Sequence, residues 1–96
     1  MAEPDYEALG RYVHLCEQVK RKTAERAHLL ERAATVLQHA ARPAQPHERG
    51  CARKCNFEAM EKLLGEAKAA DAELLALVEE ANALAPLADR PELGLA

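Results

Sequence analysis

The sequence predicts an all-α protein: an antiparallel two-helix hairpin of coiled-coil type that completes a helical bundle with other chains. Three observations predict it. Alanine supplies 21 of the 96 residues, isoleucine, serine and tryptophan are absent, and phenylalanine occurs once. That composition suits long helices and leaves too few β-branched and aromatic side chains for pleated sheet faces. Two long stretches are free of proline and are separated by a proline-containing connection. Along both stretches apolar residues recur at heptad spacing.

The elements follow in order. Residues 1–4 are a short lead. Helix one is expected over 5–42, about 55 Å long at 1.5 Å per residue. Pro4-Asp5 is a favourable start, with Glu7 near the positive end of the helix dipole. Arg42 precedes Pro43, and a residue before proline is pushed out of the helical region. Residues 43–55, PAQPHERGCARKC, read as the connection. Helix two is expected over 56–85, capped by Asn56, with Glu58 in its first turn and Pro86 as its stop. Gly65 is its one weak point. Residues 86–96, PLADRPELGLA, read as a flexible tail containing proline and leucine.

The heptad assignment places Leu9, Cys16, Thr23, Leu30 and Leu37 at a, and Tyr12, Val19, Arg26, Ala33 and Ala40 at d. In helix two, Phe57, Leu64, Asp71, Val78 and Ala85 fall at a, and Met60, Ala67, Leu74 and Ala81 at d. Both seams carry a charge near the middle. Folding at the connection brings residues whose numbers sum to about 97 level, so Arg26 and Asp71 are expected to face each other as a register pair. Further apolar residues at g (Leu15, Leu29, Val36, Leu63, Ala70, Leu77, Leu84), with Val13 and Leu75, exceed what a two-helix seam covers. The expected partner interface is therefore Leu9, Val13, Leu15, Leu29, Leu30, Val36, Leu37, Leu63, Leu64, Leu74, Leu77, Val78 and Leu84.

The chain offers little for catalysis, and no enzyme activity is expected. It has no serine, no glycine-rich phosphate loop, and two threonines placed mid-helix. His14 and Cys16 are two apart and point to different helix faces. Glu79-Glu80 reads as a solvated face. His47, Cys51 and Cys55 are four apart and would share a helix face as metal or redox groups. That is the alternative reading from another functional class, and the expectation remains no cofactor. The Cys51–Cys55 spacing is similar to that of small mitochondrial intermembrane-space chaperones, which use two such pairs. Helix one carries only Cys16, so that pattern is not met.

Net charge is −3, unevenly spread. Residues 5–55 carry ten Lys/Arg against six Asp/Glu, and 56–85 carry two against seven. A basic helix matched to an acidic one explains the asymmetry, and Lys20-Arg21-Lys22 reads as part of that match rather than as a nucleic-acid face. No apolar run approaches the roughly 20 residues of a membrane span. The N-terminus has no signal-peptide character, and three cysteines without a secretory context read as thiols. The expected location is cytoplasmic, with the nucleus an option. The expected function is a scaffold or adaptor subunit of a small multi-protein complex, of the organelle-transport, cytoskeletal or chromosome-segregation type. Its partners would be other helical proteins, with a homodimeric four-helix bundle as the alternative.

Overall fold

A computed structural model describes residues 5–42 and 54–95. Among these the chain is all-helical, with α1 (Tyr6–Ala41) and α2 (Phe57–Leu84) packed against each other as an antiparallel hairpin. Asp5 caps α1, its Oδ1 accepting from the backbone N–H of Glu7 and of Ala8, both at 3.1 Å. These bonds satisfy two of the first-turn donors that a helix leaves open. Arg42 has already left the helix, at ψ 140, ahead of Pro43. Asn56 caps α2 through a 3.0 Å bond accepted from Ala59 N–H.

The seam has the expected period and a different phase. On α1, Ala8, Tyr12, Leu15, Leu29 and Ala33 are buried, and Val19, Lys22, Arg26, Val36 and Ala40 are half-buried. From Ala8 to Ala40 these positions step alternately by four and three, an unbroken heptad stripe. It runs through the expected d and g positions, not a and d. Thr23, Leu30 and Leu37, expected inside at a, are exposed. Apolar residues at a, d and g admit two adjacent seams, and packing against α2 takes the d and g stripe, leaving the a stripe outside.

On α2 the buried positions are Met60, Leu63, Ala67, Ala70, Leu74, Val78 and Ala81, continuing to Ala85 and Ala88. With half-buried Leu77 and Leu84 the stripe 60, 63, 67, 70, 74, 77, 81, 84, 88 alternates three and four throughout. From Leu74 onward it is also wider: Val78 and Ala85 are buried beside it, on the flank against which the segment after α2 packs.

Two apolar clusters result. Leu29 and Ala33 meet Met60, Leu63, Ala67 and Ala70, with Val36 and Cys55 against them. Tyr12 and Leu15 meet Ala81, Ala85 and Ala88, with Leu9, Cys16, Leu77, Leu84 and Leu93 against them. Between the clusters lies a charged collar. Arg26 Nη1 is 2.5 Å from Asp71 Oδ1. Lys22 Nζ is 2.5 Å from Glu73 and 2.9 Å from Glu25.

The segment expected as a flexible tail is seated on the hairpin, and the helical path does not stop at Pro86. Ala88 N–H reaches Leu84 O at 3.0 Å, and Arg90 N–H reaches Ala85 O at 3.0 Å. Asp89 stands between them in the left-handed region, at φ 53, and its own N–H bonds Pro86 O at 3.3 Å. This is the paired closure of a Schellman motif, with aspartate in the position that favours glycine. Beyond it the chain folds back. The Tyr12 hydroxyl donates to Pro91 O at 2.8 Å, and the Asn82 side-chain amide both accepts from Leu93 N–H (2.6 Å) and donates to Leu93 O (3.1 Å).

Because a left-handed conformation costs an L-residue roughly 1 kcal/mol, Asp89→Gly is expected to stabilise the hairpin by about 0.5–1 kcal/mol. Asp89→Val should destabilise it, β-branching being least tolerated there. Urea denaturation of the two variants checks both signs.

Candidate functional site

The hairpin has two lateral grooves that differ in the residues lining them. One is richer in charged side chains: Arg11, His14, Gln18 and Glu80 line one stretch with Leu15, and Gln18, Arg21, Lys22, Glu25 and Glu73 the next with Leu77. Gln18 and His14 are joined by a 2.9 Å hydrogen bond across one helical turn. Here the basic excess of α1 meets the acids of α2.

The other groove is apolar. Arg26, Leu30, Leu64, Ala67, Lys68 and Asp71 line one stretch of it. The adjoining stretch is lined by Val19, Thr23, Leu74, Leu75 and Val78 and is entered by Leu93, Gly94 and Leu95. The chain's own last segment therefore covers this groove near the Tyr12 end. Towards the connection nothing among the described residues covers it. Leu30 is 46%, Leu37 51%, Phe57 67% and Leu64 45% exposed. Beside Leu30 and Leu37 on α1 run Ala27, Ala34 and Ala41, all exposed. Thr23, Ala27, Leu30, Ala34, Leu37 and Ala41 step by four and three, a second heptad stripe on the same helix without a partner.

The structure divides the expected interface residues. Leu15, Leu29, Leu63, Leu74 and Val78 are buried inside the hairpin, and Leu9, Val36, Leu77 and Leu84 pack half-buried against its clusters. These nine pack within the hairpin; six of them, Leu15, Leu29, Val36, Leu63, Leu77 and Leu84, lie on the g stripe that the seam takes. Leu30, Leu37 and Leu64 lie on the open groove, and Val13 is exposed on the same stripe of α1 nearer the tail. Arg26 and Asp71 are brought together, both partly exposed, where the covered and open halves of the groove meet.

Of the metal and redox alternative, His47 and Cys51 lie outside the described residues. Cys55 is half-buried against Leu29's cluster. Among the described residues no three His, Cys, Asp or Glu side chains are grouped to hold a metal ion, and no helix is long and apolar enough to cross a membrane.

Two features had no counterpart in the expectations. Asn82 and the Tyr12 hydroxyl fix the folded-back segment through contacts that no periodicity reveals. The exposed alanine stripe was visible in the sequence as a second four-three spacing. Comparison with protein-family models, with curated proteins and with solved structures returns no match.

Two protonated groups hold the site together. Burial, and then a hydrogen bond to Cys16, raise the Tyr12 phenol above its ordinary value of 10.0. Hydrogen bonds to Glu73, and then to Glu25, raise the Lys22 ammonium above 10.5. Both groups bind their protons more tightly folded than unfolded. Above about pH 10 the native state therefore holds more protons, and stability falls as pH rises. Stability should show no dependence from these groups at neutral pH and should decline from about pH 10 upward. Tyr12→Phe should cost about 0.5–1.5 kcal/mol for the lost bond to Pro91 and flatten the alkaline decline; chemical denaturation from pH 7 to 11 measures both. A double-mutant cycle on Arg26→Ala and Asp71→Ala should give a coupling of about 0.2–1 kcal/mol, the range for partly exposed pairs.

Proposed function

We propose that this chain is a non-enzymatic interaction subunit, a coiled-coil scaffold or adaptor that joins other helices through the apolar groove. The observation that carries the reading is the open half of that groove: Leu30, Leu37, Phe57 and Leu64, each at least 45% exposed, aligned beside an exposed alanine stripe. Contiguous apolar surface of this kind mostly marks a protein–protein contact. Leucines over grooves, flanked by small residues, suit a helix laid along them. Bundling with further helices in a cytoplasmic multi-protein complex is the assembly this reading implies. The polar groove offers charge pairing that can select orientation.

The test is Leu30→Asp with Leu64→Asp. Both side chains are outside the hairpin core, so helicity and melting should change little, while association with other chains is lost. Each leucine withdrawn from an interface removes about 1.5–3 kcal/mol of burial. Leu74→Asp is the contrasting control. Leu74 is buried, so that change should unfold the hairpin itself, by about 3 kcal/mol or more. Circular dichroism and affinity capture read the two outcomes separately. If the Leu30/Leu64 variant keeps every partner of the wild type, the groove is not the interface.

A further inference from the structure

We infer that the occupant of the open groove is a second copy of this chain, related by a two-fold axis that runs across the two helices near Leu30 and Leu64. The inference rests on the groove being the interaction face and names what fills it.

A closed dimer needs a surface complementary to itself, so that residue i of one copy meets j of the other and j meets i. Leu30 and Leu64 line the same stretch of groove. About Leu64 the exposed rim of α2 carries Glu61 three residues before and Lys68 four residues after. Neither has an ion-pair partner among the described residues. An antiparallel α2–α2 crossing centred beside Leu64 sets Glu61 of each copy against Lys68 of the other, giving two equivalent pairs. About Leu30, α1 carries Ala27 three before and Ala34 four after, both exposed. The same axis sets alanine on alanine, where two helices approach most closely. Charge and size are thus self-complementary about one centre.

The folded-back segment selects the axis. Leu93 and Leu95 occupy the groove on the tail side of the Arg26–Asp71 pair. A two-fold along the helices would stack this segment on its own copy. A two-fold across them at Leu30 and Leu64 sets the two segments at opposite ends of the contact. A different partner would need no such internal symmetry of sign.

The experiment is sedimentation equilibrium of the whole chain at low ionic strength, with rim charges reversed. Wild type should run at twice the chain mass. Glu61→Lys alone puts lysine against lysine twice per dimer, and Lys68→Glu alone puts glutamate against glutamate twice. Each should weaken the dimer about tenfold or more. Mixing the two single variants restores both opposite pairs and should restore the dimer, as should Glu61→Lys with Lys68→Glu in one chain. Both side-chain changes are on exposed positions, so circular dichroism should show unaltered helicity. A monomeric wild type at micromolar concentration overturns the inference. So does a dimer that Glu61→Lys leaves intact, or one that mixing fails to rescue. A wild-type monomer that still loses another partner on Leu30→Asp/Leu64→Asp overturns the second copy while sparing the groove as an interface. Full partner retention by that variant overturns the groove reading itself.

Discussion

The charged collar at the middle of the hairpin pairs Arg26 with Asp71 and Lys22 with Glu73 at one alignment of the two helices. Half of the buried residues are alanine, and one alanine knob fits much the same hole as the next. Sliding α2 by a heptad would still bury apolar surface. It would also strip Arg26 from Asp71 and Lys22 from Glu73. The individual pairs are partly exposed and each is worth little in free energy. With that alignment set, Leu29 and Ala33 fall against Met60–Ala70, and Tyr12 and Leu15 against Ala81–Ala88.

The period of this fold was legible in the sequence, and so were the caps at Asp5 and Asn56. The phase was not. Placing the a stripe inside put Leu30 and Leu37 in the core, when the structure sets Ala8, Leu15 and Leu29 there beside the expected Tyr12 and Ala33. A heptad with apolar residues at a, d and g admits two seams, and only the facing helix decides between them. The same ambiguity blurred the interface: leucines spare under one phase are core under the other. The fate of the last segment was not readable from composition. Prolines and a glycine describe a chain that cannot be helical; they do not say that the Tyr12 hydroxyl, 79 residues away from Pro91, donates to its backbone carbonyl.

That segment also accounts for the wider buried stripe of α2 beyond Leu74. A two-helix seam needs one stripe per helix. A third layer laid on one flank covers further apolar residues, and α2 offers it Val78 beside the continuing stripe through Leu77 and Leu84, with Ala85 buried as well. The half of the hairpin without the third layer keeps the original stripe, and its flank stays open. Open and covered grooves are the same surface, distinguished by whether this chain supplies its own cover.

A core divided by a polar collar also divides cooperativity. The Leu29–Met60 cluster and the Tyr12–Ala81 cluster share no buried side chain, and only Leu74 and Val78 of α2 are buried between them. The second is tied across a long sequence separation by Tyr12 and Asn82; the first has only its packed side chains. Opening free energy is then a property of each half, not of the molecule. The two ends of one 36-residue helix can exchange their amide protons on different timescales while the helix itself stays continuous.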